Sequence, residues 1–350
     1  MRRSPILLVL AVLSWQMAFA VFWCRPNIAS ETVVSPDDWQ PRFVVEDLPG
    51  LSAIAARPNG QSILAIDRET RSVVAFESDE PSRRRTVLAP PEAAAEPIAL
   101  ACIDSSTVAL HVATTEGTLE LRSYRLQPSG EAPGTSTAIQ AQIVPGWGRV
   151  EADRRVEASE ASLAVSPGRD WLVLLRRDGR LFGTEKTDEA VVPILRSPIA
   201  GSRLGPLGPR HCPGRSASAV AVSPAGELVL LEPSETAVEL VLYSRLQGHE
   251  LLRLPTGLID VRAVTYGRDG NLWAAAKGGA GSVSGVWRLD SSMRDGRQGV
   301  RATCVTLVDN PVAIASAGDG RLALLSGMAG KRKLAFLAER SATPAATNDR

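Results

Sequence analysis

The chain has 350 residues, 44% hydrophobic and 22% charged, which is enough for one large core or for two domains. Its 39 Lys and Arg nearly cancel its 38 Asp and Glu; the net charge of +1 gives no electrostatic case for nucleic acid or for an anionic membrane surface. Three histidines and 5% aromatic residues leave little material for a multi-His metal site, a His-based mechanism or a base-stacking platform.

The chain opens with Arg2 and Arg3, followed by the apolar run "PILLVLAVLSWQMAFAVFWC" from Pro5 to Cys24. Two readings of residues 1–24 stay open. As a signal peptide, the core is Ile6 to Leu13 and Ala18-Phe19-Ala20 is a small-x-small cleavage site. As an anchor, about 20 apolar residues suffice to cross a hydrocarbon core of roughly 30 Å. Either reading puts the body of the chain outside the cytoplasm, periplasmic or at the cell surface, secreted or anchored, with the arginines inside. Residues 25–41 then read as a linker.

The body, residues 42–340, contains a repeat. "YGRDGNLWAAA" from Tyr266 superposes on "VAVSPAGELVLL" from Val220, "IAARPNGQSILAI" from Ile54 and "IASAGDGRLALL" from Ile314. "LAVSPGRDWLVLL" from Leu163 fits with its glycine displaced, and "LACIDSSTVALHV" from Leu100 fits with a serine turn. The six copies lie 44 to 63 residues apart. Each reads as an Ala-rich strand, a tight polar turn and a Leu/Val strand, with Gly supplying the positive φ of the hairpin. A third strand follows in each copy, and a fourth in most, such as "RRTVLA", "AIQAQIV", "AVVPILR", "ELLRLP" and "VRATCVTLV".

This pattern predicts an all-β, six-bladed β-propeller with four antiparallel strands per blade. Small side chains suit inner strands crowded round an axis, and Ala53, Ala55, Ala99, Ala101, Ala164, Ala221, Ala263 and Ala313 fall there. The last copy lacks a fourth strand. "RFVVEDL", Arg42 to Leu48, is an unassigned strand before the first copy, and it is expected to close the ring as that missing outer strand. Residues 341–350 read as a disordered tail. Insertions at 127–137 and 146–160, and the Pro/Gly-rich stretch 197–216, break the rhythm and read as surface loops.

"GRDGNLWAAA" and "LPGLSAIAARPNGQSILAID" resemble the repeats of NHL, streptogramin-lyase and SMP-30 (gluconolactonase)-like propellers. The resemblance spans residues 42–340, with two or three clear copies, and implies fold more than function. The lyases are expected to use a catalytic histidine with a divalent metal. Here His111, His211 and His249 fall at unmatched repeat positions, so no catalytic residue is carried over. The SMP-30-like hydrolases are expected to hold a divalent metal over the channel with carboxylate and Asn oxygens from several blades.

Four positions before each first-strand apolar marker stand Gly50, Glu96, Ser159, Ser216, Asp260 and Asn310. Glu96, Asp260 and Asn310 are therefore candidate oxygen ligands for a divalent cation such as calcium, with Glu160 and Asp309 adjacent. Solvated loop ends of the same composition are the alternative.

Cys24, Cys102, Cys212 and Cys304 form no CxxC or zinc pattern; Cys102 and Cys304 read as small core residues. No GxSxG, SxxK, phosphate-loop or HExxH motif occurs. Trp147, Trp171, Trp273 and Trp287 read as packing between blades, and Trp147, between two glycines, also as a candidate ligand contact.

The expectation for function is an exported, monomeric, non-catalytic binding or scaffolding propeller, its protein or small-molecule ligand unknown, with no nucleic acid and with a membrane contact through the leader if that is uncleaved. The alternative is a metal-dependent hydrolase or lyase acting at the channel mouth. A quinone-dependent sugar dehydrogenase on a similar scaffold is a third reading, with no residues to assign to it.

Overall fold

The computed structural model describes residues 31–36, 39–60, 62–78, 80–88, 96–113, 119–126, 142–143, 150–152, 161–166, 171–176, 181–185, 194–195, 217–243, 250–278, 283–294, 297–317 and 320–340. The leader, the C-terminal tail, most of the insertions, and Cys24, Trp147, Glu160, His211, Cys212 and His249 lie outside the described residues. Among the described residues no helix is long and apolar enough to cross a membrane.

Two strands precede the repeats, β1 (Glu31–Val34) and β2 (Trp39–Val45). The first repeat sheet is β3 (Leu51–Ala56), β4 (Ser62–Asp67), β5 (Ser72–Glu77) and β6 (Arg84–Leu88). The second is β7 (Glu96–Cys102), β8 (Thr107–Ala113) and β9 (Leu119–Arg125), with β10 (Gln142–Ile143) and β11 (Val150–Ala152) both paired to β9. The third is β12 (Ala161–Val165), β13 (Trp171–Arg176), β14 (Leu181–Glu185) and β15 (Ile194–Leu195). The fourth is β16 (Ala219–Val222), β17 (Leu228–Pro233), β18 (Val238–Tyr243) and β19 (Glu250–Pro255). The fifth is β20 (Leu258–Tyr266), β21 (Leu272–Gly278), β22 (Ser284–Arg294) and β23 (Arg297–Leu307). The sixth begins with β24 (Pro311–Ser316), β25 (Leu322–Ser326) and β26 (Lys333–Glu339) and takes β2 as its fourth strand. This is an all-β propeller.

The repeated turn is the local device that makes these sheets. In four of them the glycine after the first strand has positive φ: Gly60 (71°), Gly226 (84°), Gly270 (80°) and Gly320 (86°). The same pair of backbone bonds recurs around it. Gly270 N donates to Gly267 O at 3.0 Å and Gly267 N to Asn271 O at 2.8 Å. Gly226 and Ser223, and Gly320 and Ala317, repeat that pattern. The second sheet has no glycine there. Instead the Asp104 carboxylate accepts from Ser106 N and Thr107 N, both at 2.7 Å, and closes the turn through its side chain. Burial alone would raise that carboxyl; bonds from Ser106 and Thr107 outweigh it and hold it below its ordinary value.

The sheets are held to one another by apolar seams. Six buried clusters each join two successive sheets. One packs Leu64 and Val73 on Leu100 and Leu110, and another packs Ala101 and Ala109 on Leu172. Val173 and Leu175 meet Val220 and Leu230, and Val229 and Leu231 meet Trp287. Trp273 and Val286 meet Leu324 and Leu337, and Phe336 and Leu325 meet Ile63 and Phe76. The last seam joins the sixth sheet to the first. Trp273 and Trp287 thus sit where blade packing was expected of them. Trp287 fills its space closely: a Cβ on Gly278 would stand 2.5 Å from two of its ring carbons.

The N-terminal strands lie across two sheets. β2 runs antiparallel to β26, from Trp39↔Glu339 to Val45↔Leu334, and its Trp39 ring meets Trp273 edge-on with centroids 4.9 Å apart. Thr306 Oγ1 donates to Trp39 O at 2.9 Å, tying β2 to the fifth sheet as well. The sequence reading starts this strand at Arg42 and leaves residues 25–41 as linker. The structure instead forms β1 inside that segment, as a parallel edge strand on β23 from Glu31↔Arg301 to Val34↔Cys304. The β-branched "TVV" of β1 suits a pleated edge, but four residues beside a leader carry too little pattern to announce a strand.

Trp39 is 7% exposed, so its truncation leaves a cavity between the fifth and sixth sheets. Trp39→Ala is expected to lower the unfolding free energy by about 3 kcal/mol in urea melts. A loss below roughly 0.5 kcal/mol, the scale of an ordinary surface substitution, would contradict this packing role.

Candidate functional site

The first strands of the six sheets, β3, β7, β12, β16, β20 and β24, enclose an axial cavity of about 710 Å³. This is within the range that holds a small ligand. The six apolar markers of the sequence alignment, Ile54, Leu100, Leu163, Val220, Val264 and Ile314, all line it. The two residues after each marker continue the wall, as in Ala55 and Ala56, or Ala164 and Val165. Pro58, Asn59, Ser166, Pro224, Gly267, Arg268 and Ala317 extend it to the first hairpin turns. The cavity therefore lies toward the end of the channel where those turns sit, here called the turn end. The opposite end, where the first strands begin, is the leading end.

The wall is apolar in its middle and polar near the turns. Asn59, Ser166, Thr265, Tyr266, Arg268 and Ser316 supply the hydrogen-bonding groups. Arg268 is the one cationic side chain among the described lining residues, and no carboxylate is among them. Burial first, and then the nearby Glu227 carboxylate, pushes the Tyr266 phenol up from 10 to about 12. Tyr266 is therefore a neutral hydrogen-bond donor at physiological pH and not a base. The arrangement suits a small uncharged polar molecule, or one with a single negative charge: an apolar wall takes its carbon skeleton and a few polar groups fix its orientation.

The sequence-predicted ligands stand elsewhere. Glu96 opens β7 and pairs with Arg68 at 4.0 Å. Asp260, in β20, accepts from Arg262 Nε at 3.1 Å. Asn310 precedes β24 with φ of 47°, and its carbonyl accepts from Gly327 N at 3.0 Å. All three belong to the leading end of their strands, and none lines the cavity. Among the described residues no group of three or more His, Cys, Asp or Glu is placed to hold a metal ion. His111 is buried in β8, one strand out from the axis. The polar groups of the turn end were within reach of the alignment: they occupy the first to fifth positions after the markers, whereas the candidate ligands stand four positions before them.

No family model matches the chain, and no curated protein matches it. Solved structures do. A Thermus thermophilus protein named as an oxidoreductase (glucose dehydrogenase) shares 17% identity, with a TM-score of 0.54 over 84% of this chain and 99% of that one. The PQQ-bound aldose sugar dehydrogenase of Streptomyces coelicolor shares 13%, with a TM-score of 0.54 over 87% and 100%. A further glucose dehydrogenase shares 15%, with a TM-score of 0.54 over 86% and 99%. At such identities the likeness establishes the propeller fold.

These neighbours correct the expectation of a non-catalytic scaffold, because proteins with this chain's fold over nearly their whole length are named as oxidoreductases. The physical reason for the error is plain. Scarce histidines and missing hydrolase motifs speak against chemistry done by side chains. They say nothing about chemistry that a bound cofactor performs.

Tyr243 is likewise pushed up to about 12, by burial first and then by Glu232 and Glu250. Absorbance titration at 295 nm is expected to show Tyr243 and Tyr266 ionising well above the ordinary tyrosine value of about 10. The native state holds these protons more tightly than the unfolded chain does. The stabilisation is thus complete below about pH 10 and is lost as pH rises toward about 12. Ionisation of both near pH 10 in the folded protein would contradict the burial.

Proposed function

We propose that this chain is an oxidoreductase that takes a small polyhydroxylated molecule into the turn-end cavity. The observation that carries the reading is the cavity itself: about 710 Å³, apolar within, rimmed by neutral donors and one guanidinium, with no described carboxylate in its wall. The fold it shares with proteins named as sugar dehydrogenases supports the class of reaction. In this reading the six sheets are six blades, and β2 closes the ring by completing the sheet of the C-terminal strands.

The roles follow from the donors. Asn59, Ser166 and Ser316 bond substrate hydroxyls. The Tyr266 phenol donates to the oxygen of the carbon being oxidised, and Arg268 stabilises negative charge developing on that oxygen. Oxidation of the C–OH to C=O releases two electrons and two protons to an acceptor of the quinone or dye class.

PQQ, the molecule bound in the Streptomyces structure, carries three carboxylates, and burying them calls for several cations. The described cavity wall supplies Arg268 alone, so its residues do not fit that cofactor, and no step is derived through it.

The test is a dye-linked oxidation assay of the full chain against a panel of aldoses and polyols, with and without added PQQ and calcium. Saturable, substrate-dependent dye reduction is expected, and Arg268→Ala is expected to lower kcat/KM by about tenfold or more, the effect of losing one charge-assisted bond in the transition state. No substrate-dependent reduction under any of these conditions would overturn the reading.

A further inference from the structure

The polar groups of the axial cavity are not spread evenly round it. The first strands follow one another about the axis in the order β3, β7, β12, β16, β20 and β24, and β24 packs back against β3. The fifth sheet therefore stands across the channel from the second, three sheets away in either direction. Thr265, Tyr266 and Arg268 of the fifth sheet, Ser316 of the sixth and Asn59 of the first make one polar arc over three neighbouring sheets. The second and fourth sheets are described through their first strand, first turn and second strand. Leu100, Ala101 and Cys102 line the cavity from the second, and Val220, Val222 and Pro224 from the fourth. Neither sheet adds a hydroxyl, an amide or a charged side chain to the wall. The third sheet, between them, adds among its described residues the single hydroxyl of Ser166, which is buried.

The bare arc has a local cause. In the second sheet the Asp104 carboxylate is engaged by Ser106 N, Ser106 Oγ and Thr107 N of its own turn. In the fourth, Ser223 Oγ accepts from Glu227 N at 3.0 Å and donates to Glu227 Oε2 at 3.2 Å. The polar side chains of these two turns bond within the turn and not toward the channel.

Such a wall sorts ligands. A free sugar carries hydroxyls round its whole edge, and those set against the second and fourth sheets leave water without gaining a partner. An apolar group in the same place gains by leaving water. The cavity of about 710 Å³ lies in the upper half of the range of about 300–1,000 Å³ that takes drug-sized ligands, so a substituent fits beside a sugar ring.

We propose that the ligand of this cavity is a sugar bearing one apolar substituent, an aryl or alkyl glycoside. Its hydroxyls meet the fifth, sixth and first sheets, and its substituent lies against the second to fourth. The sugar portion rests on the function proposed above; the substituent rests on the wall alone. The anomeric carbon of a glycoside has no free hydroxyl, so the alcohol oxidised is another one. Its C–H and O–H bonds break, C=O forms, and two electrons and two protons pass to the acceptor of the quinone or dye class.

The test is isothermal titration calorimetry of the full chain with glucose, galactose, mannose and xylose and with the phenyl glycoside of each, beside dye reduction by the same compounds. At least one phenyl glycoside is expected to bind about tenfold or more tightly than its parent sugar. Arg268→Ala, in the polar arc, is expected to weaken both members of that pair by a similar factor. Cys102→Asn, which puts an amide into the apolar arc, is expected to weaken the glycoside by about tenfold and the free sugar by less than about twofold. Pro224→Asn makes the same test at an exposed turn residue, where folding does not depend on burial. Free sugars that bind as tightly as their glycosides, no binding by any glycoside, or a preference that survives both apolar-arc variants would each overturn the proposal, whether or not free sugars reduce the dye. A glycoside preference with no dye reduction would support the ligand class and overturn the redox reading.

Discussion

Six strands gathered round one axis leave room only for small or slender side chains, and the rest of the structure follows from that crowding. The markers and their neighbours, such as Ala55, Ala101, Ala164, Ala221 and Ala315, line the channel without filling it. The bulk is displaced outward, where Trp273, Trp287, Phe76 and Phe336 fill the wedge-shaped gaps between sheets. Each sheet therefore depends on two neighbours. The sixth depends also on β2, which brings Trp39 to the ring of Trp273.

The same crowding shapes the candidate site. A wall of alanine and branched aliphatic residues excludes charge, so polarity can enter only where the strands end. At the turn end it does so through Asn59, Ser166, Tyr266, Arg268 and Ser316. Left-handed glycines keep the turns tight enough to bring those groups to the rim of the cavity. Glu227 belongs to the turn of the fourth sheet, yet its charge reaches Tyr266 of the fifth and helps keep that phenol protonated. Neighbouring turns are thus coupled electrostatically as well as by packing.

The repeat was legible in the sequence because its physics is local. A glycine turn between two strands needs only five residues, and where the glycine is missing, Asp104 supplies the same closure from its side chain. The channel-facing positions were legible too, since small residues recur there. What remained hidden depends on distant contacts. β1 is a strand because β23 has an edge to offer, and β2 starts at Trp39 because Trp273 lies 234 residues away to receive it. The candidate carboxylates belong to the leading end, where Glu96 and Asp260 are engaged by arginines, while the cavity opens at the other end.

In the proposed reading β2 closes the ring and so maintains the channel. Phe43 pairs with Phe336 in the middle of β2, and Phe43→Pro removes a backbone donor from that strand. Native-state hydrogen exchange of this variant against the parent chain tests the claim directly. If β2 closes the ring, exchange accelerates in β26 and also in β24 and β3, the first strands on either side of the closing seam. Acceleration confined to β2 and β26, with β3 and β24 protected as before, would show that the channel stands without it.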